Sequence, residues 1–218
     1  MIDLAFRIDD IVCEPYAAVP QLTARLEISE RTGEKVHALA LRCQVRIEPQ
    51  RRAYDVQEAA GLADQFGPRD RWSQTLKPFL WMHCSTVVQG FTEMTLVDLP
   101  MPVTYDLEVT ASKYFHQLDG GEVPLVFMFS GTCFTQGRSG FGVEQVPWHL
   151  EDTYRMPVAV WRECIDQHFP GSGWLRLSRD VLAELTQYKA EHGLTSWDSV
   201  VEQLLGAARV RAERVTEP

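Results

Sequence analysis

The 218-residue, 24.8 kDa chain is 45% hydrophobic, 10% aromatic and 23% charged, proportions that exclude disordered, collagen-like and disulfide-scaffold classes. Lys plus Arg number 21 and Asp plus Glu 30, giving a net charge of −9 and a pI near 5.2. The cationic excess that neutralises phosphates is absent, so nucleic acid starts as a poor candidate partner.

From residue 1 to about 147 the dominant hydrophobic period is two. Leu4–Val12 reads as a first strand. Leu22, Ala24, Leu26 and Ile28 alternate with Thr23, Arg25, Glu27 and Ser29, which predicts a half-buried second. Glu30–Glu34 is a turn around Gly33. Beyond it Leu39, Leu41, Cys43, Val45 and Ile47 alternate with Ala40, Arg42, Gln44, Arg46 and Glu48. These two runs are expected to pair as an antiparallel hairpin with one wet face. Between Tyr54 and Phe91 the alternation fails. A short helix over Asp55–Phe66, ended by Gly67-Pro68, and an aromatic connection over Arg69–Trp81 make an insertion at 54–82.

Strands are expected again at His83–Val88, Met94–Leu99, Val103–Ala111, Val123–Thr135 and Phe141–Val146, the fourth of them apolar on both faces as a central strand should be. After Trp148 the period becomes 3.6. Pro157 suits the first turn of a helix carrying Val160, Trp161, Cys164 and Ile165, which stops before Pro170. Ser178 caps a second helix ended by Gly193, and Ser196 caps a third running to Ala208. The expected fold is therefore α+β: an antiparallel β-sandwich of about eight strands followed by a C-terminal three-helix segment. Its divisions are a sandwich domain at 1–150, a helical annex packed on it at 151–208, and a frayed polar tail at 209–218.

The five cysteines, Cys13, Cys43, Cys84, Cys133 and Cys164, are far apart, odd in number and without a C-x-x-C pair, which predicts reduced thiols and a cytoplasmic setting. The N-terminus has neither a basic n-region nor an apolar h-region, and Val123–Phe134 is too short to span a bilayer, so no membrane role is expected.

Chemistry-bearing motifs are sparse. Cys164 and His168 are four apart on a helix and could share a metal. With His149 and Cys133 they are the candidates for such a site, yet their spacing is not diagnostic; a buried Cys and a surface His explain them as well. His83 and Cys84 are adjacent on a strand and so point to opposite faces, which rules out a direct nucleophile pair. Gly137–Gly142 lies between strands without a following Lys-Ser/Thr and reads as a turn rather than a phosphate loop. No nucleophile elbow, H-E-x-x-H or paired-carboxylate signature occurs, so no catalytic residue and no cofactor is assigned. The last two helices have the outline of a helix-turn-helix, but residues 176–217 hold six basic against seven acidic side chains, and no DNA-reading stripe results.

The suggestive feature is aromatic. Trp72, Phe79, Trp81, Trp148 and Trp174 sit in loops or at element ends beside Pro78, Pro147 and Pro170, a pattern used by protein-docking anchors. Plugging of the sandwich ends explains the same residues, and one edge could serve both purposes.

Six segments carry a resemblance over nearly the whole chain: Glu14–Pro20, His37–Gln50, Thr75–Trp81, Val143–His149, Pro157–Arg162 and His168–Trp174. Together they resemble a bacterial, mostly actinobacterial family of unknown function whose genes sit beside those of high-affinity uptake nickel–iron hydrogenases and their maturation factors. That resemblance implies a context and no residue roles. The function expected is that of a non-catalytic accessory or assembly protein, binding a hydrogenase subunit or maturation factor through the aromatics or a strand edge. A metal-handling protein or enzyme and a DNA-binding regulator are the alternatives, and self-association stays open.

Overall fold

Alternating apolar and polar residues build two antiparallel sheets in the structure, a computed structural model describing residues 2–103, 105–137, 140–171 and 177–216. One sheet is β1 (Leu4–Cys13), β2 (Gln21–Glu30) and β5 (Met94–Pro102), with β2 in the middle. The other runs β4 (Phe79–Phe91), β3 (Val36–Ile47), β6 (Glu122–Gly137), β7 (Gly140–Gln145). An eighth strand, β8 (Glu151–Pro157), pairs with the first half of β6. The α+β class and the eight-stranded sandwich read from the sequence are both present.

Leu22, Ala24, Leu26 and Ile28 of β2 and Leu39, Leu41, Cys43, Val45 and Ile47 of β3 are sealed from water and belong to one core. Each fully buried Leu or Ile there contributes about 1.5–3 kcal/mol. The two strands are not, however, the expected hairpin. β2 pairs with β1 and β5, and β3 with β4 and β6, so the Gly33 turn (φ 77°) carries the chain from one sheet to the other. Each stripe needs a cover, and placing the stripes in opposite layers covers both. Pairing side by side would leave them on one common face.

The sheets are joined along β1 by side chains of the second sheet. The Ile2 N–H donates to Glu144 Oε2 (3.0 Å), the Ile8 N–H to Asp152 Oδ2 (2.6 Å), and the Tyr154 hydroxyl to Asp10 Oδ1 (3.1 Å). In the middle of the second sheet, Gly131 has φ 151° and no room for a side chain. A Cβ there would lie 2.2 Å from the Ala40 carbonyl oxygen.

Four expectations are corrected. Val103–Ala111 is not a strand: α4 (Tyr105–His116) occupies it, because Ala111, Tyr114, Phe115 and Leu118 bury at helical spacing and outweigh the alternation before them. Residues 151–157 are strand rather than the start of the annex, with Asp152, Tyr154 and Met156 on the less exposed face. The insertion is shorter than 54–82. It holds α1 (Val56–Gly61), α2 (Ala63–Phe66) and α3 (Trp72–Thr75), and its last four residues already belong to β4. The tail from Arg209 is helical as far as Thr216, since the last helix continues through it.

The chain divides into two compact units, Met1–Gly171 and Ser172–Pro218, so the boundary lies near 171 rather than 150. α5 (Val158–His168) stays with the sandwich, burying Val158, Trp161, Cys164 and Ile165 against β1, β2 and β8. The second unit is a helical hairpin of α6 (Arg179–Glu191) and α7 (Trp197–Thr216), turned at Gly193 (φ 63°). Both caps read from the sequence are made: Ser178 Oγ accepts from the Val181 N–H and Ser196 Oγ from the Ser199 N–H. Among the described residues no helix is long and apolar enough to cross a membrane.

Candidate functional site

The aromatic residues of the insertion converge on α4. Tyr54 follows the turn at Pro49–Arg51, and its hydroxyl donates to the Pro49 carbonyl (2.8 Å) and lies 2.7 Å from that of Tyr114. Trp72 stands edge-on to Tyr54 at 5.1 Å, its Nε1–H donating to the Gly67 carbonyl (3.0 Å). Trp81 packs on Phe115 at 5.1 Å, and Phe115 stacks on Trp161 at 4.9 Å. Trp81 is thereby a core residue, whereas Trp72 and Phe79 are half-buried against that core. Trp174 lies outside the described residues.

Burial shapes the titration of this cap. It pushes the Tyr54 phenol up to about 12 and the Tyr114 phenol higher still. Neither is matched to acid–base work near neutrality.

The metal candidates are not assembled. Cys164 is buried in α5 with its thiol facing the Gln21 carbonyl (3.5 Å). His168 lies with Nδ1 2.9 Å from the Cys164 carbonyl and Nε2 3.0 Å from that of Ala17, so the ring sits between α5 and the 14–20 loop. Cys133 is in the core of β6, and His149 is exposed in the turn before β8. Among the described residues no group of three or more His, Cys, Asp or Glu side chains is placed to hold a metal ion. His83 and Cys84 do point to opposite faces, one exposed and one buried. His83 shares a shallow outer depression of about 440 Å³ with Arg42, Gln44, Ser85 and Ser130.

β7 is one terminal strand of the second sheet, with β4 at the other end. It pairs with β6 on one side, and among the described residues no strand pairs with its other edge. Phe141 and Val143 are exposed on it, and Phe141 stacks on Phe134 of β6 at 5.8 Å with the His37 ring edge-on at 6.1 Å. The pairing register continues this apolar surface through Phe134 beside Ala38 and through Ala40 to the exposed Val87 of β4. Three residues past β7, in the turn to β8, Trp148 is 86% exposed with His149 at 6.0 Å. Edge strands of monomeric sheets are normally blunted by Lys or Pro. Gly140–Gln145 has neither, its protection being limited to its shortness and Glu144.

The sequence pointed to Trp148 but missed Phe141, Val143 and Val87. The lack of Lys and Pro in Gly140–Gln145 was a usable signal, but only once β7 was known to be an edge.

Fold and surface together define a β-sandwich with an insertion cap, a helical hairpin and a strand edge bearing exposed apolar side chains, with no group of three or more His, Cys, Asp or Glu placed to hold a metal among the described residues. The chain belongs to the family of unknown function DUF6084, whose model matches residues 1–213. No curated protein matches it. Similar solved structures include the β-glucosidase of Kluyveromyces marxianus, at 8% identity and TM-score 0.29 over 71% of this chain and 15% of that one. β-Glucosidase 3B of Thermotoga neapolitana in complex with α-D-glucose gives 12% identity and TM-score 0.26 over 71% and 17%. The chain thus spans 15% and 17% of those enzymes, a likeness that carries nothing about activity.

Proposed function

We propose that this protein is a non-catalytic accessory protein that docks a partner protein along β7, and that the partner is a nickel–iron hydrogenase subunit or maturation factor. The observation that carries the docking reading is the free β7 edge bearing exposed Phe141 and Val143 and followed by exposed Trp148. An extended partner segment adding to such an edge gains main-chain hydrogen bonds from the strand and specificity from alternate side chains. Trp148 supplies the large, rigid anchor that dominates many interfaces. The identity of the partner is supported by the resemblance of the six sequence segments to a family encoded beside hydrogenase genes.

The test is co-purification from the native host, read by mass spectrometry, with the tagged protein and its Val143→Lys variant. Recovery of a hydrogenase component by the parent, lost in the variant, is expected. Recovery of none by the parent overturns the partner, and equal recovery by both overturns the edge.

A further inference from the structure

Among the described residues of the helical hairpin, most of the apolar side chains of α7 and several of α6 remain open. Val181, Leu182, Trp197, Val201 and Leu205 are each 44–52% exposed, and Val200 is the fully buried side chain among the described residues of the hairpin. Two helices alone cannot enclose a core, and an amphipathic pair with its stripe open calls for further helices.

We propose that a second copy of this chain covers this stripe, with the two α7 helices running antiparallel about Leu205. Trp197, Val201, Leu204 or Leu205, and Ala208 fall at i, i+4, i+7 or i+8, and i+11, one face of the helix. Asp198, Glu202 and Arg209 fall at i, i+4 and i+11 along one flank of that face, acidic in the first half and basic in the second. A twofold axis across the helix brings this flank against the same flank running the other way. Asp198 and Glu202 then meet Arg209 of the second copy, and the stripe meets itself. In a parallel pair this flank would face the opposite flank of the second copy and these ion pairs would not form, so the charge pattern favours a second copy running antiparallel. This surface is independent of the β7 edge.

Sedimentation velocity of the full chain at tens of micromolar tests it. The expected species has twice the 24.8 kDa chain mass, and Leu205→Glu reduces it to monomer without moving the unfolding midpoint of the sandwich. Glu202→Arg and Arg209→Glu singly weaken the dimer about tenfold, because two symmetric ion pairs become repulsive, and the double exchange restores it. A monomeric parent overturns the proposal. So does a dimer that survives Leu205→Glu but dissociates with Val143→Lys, which would pair β7 edges. A double exchange that fails to restore association overturns the antiparallel arrangement.

Discussion

The Arg52 guanidinium donates to Glu58 Oε1 across 2.5 Å, and both side chains are almost sealed from water, at 9% and 6% exposure. Further hydrogen bonds hold the pair around its rim, although the buried Arg52 Nε has no partner. Arg52 also donates to the carbonyls of Gly120 (2.7 Å) and Glu122 (3.2 Å), while Glu58 accepts from the N–H groups of Asp119 (2.9 Å) and Asp55 (3.2 Å). It therefore ties the insertion to the turn before β6 and completes the capping box of α1. Removing one charge strands the other in a dry site. Arg52→Leu is expected to cost about 3–5 kcal/mol, and Arg52→Leu with Glu58→Leu less than the sum of the single changes. Urea unfolding of the parent, both single variants and the double variant measures this; additive losses would mean the two groups do not act together.

Gly131 offers a backbone counterpart. Its φ of 151° and the 2.2 Å approach of a built Cβ to the Ala40 carbonyl mean that even a methyl must push β6 off β3. Gly131→Ala is expected to destabilise by about 2–4 kcal/mol, combining conformational strain with overpacking. At Gly120, where a Cβ meets nothing within 4 Å, alanine is expected to be tolerated. Unequal denaturant midpoints for the two variants check the contrast.

How far the fold was legible depended on whether one local period dominated. β2 and β3 alternate cleanly and were readable, but alternation reports only that one face is buried. It does not say whether the cover is a neighbouring strand's sheet or the opposite layer, and the hairpin expectation failed there. Val103–Ala111 alternates as well, yet the helical set Ala111, Tyr114, Phe115 and Leu118 begins where that window ends. The tryptophans were harder still. Trp81 and Trp148 both follow a proline in aromatic surroundings, and only strand pairing puts one in the core and the other in water.

Alkaline pH should loosen the protein through its buried acids. Burial, the leading cause in each case, pushes the Cys133 thiol up to about 11, the Cys84 thiol and Tyr54 phenol to about 12, and Cys43 and Tyr114 also upward. Unfolding releases these groups to ordinary values near 8.5 for a thiol and about 10 for a phenol. The native state then holds more protons than the unfolded state above those values, so stability is complete below about pH 8.5 and falls as pH rises through the range set by the native values. A lower urea midpoint at pH 10.5 than at pH 7.5 is expected. An unchanged midpoint would show that the thiols and phenols are not withheld from solvent.

Trp161 and Trp148 make the last prediction a comparison of one substitution at two places. Trp161 is 1% exposed and stacks on Phe115 from the buried face of α5, so Trp161→Ala is expected to cost about 3–5 kcal/mol in urea unfolding. Trp148 contacts little beyond His149, and Trp148→Ala is expected to change stability by no more than about 0.5 kcal/mol. If Trp148 anchors a partner, the order reverses in binding: its truncation should weaken partner capture by about 2 kcal/mol or more, roughly thirtyfold. A Trp148→Ala protein that is as stable as the parent and captures its partner as well would leave the β7 edge without its anchor. Loss of capture at full stability separates a docking residue from a packing one.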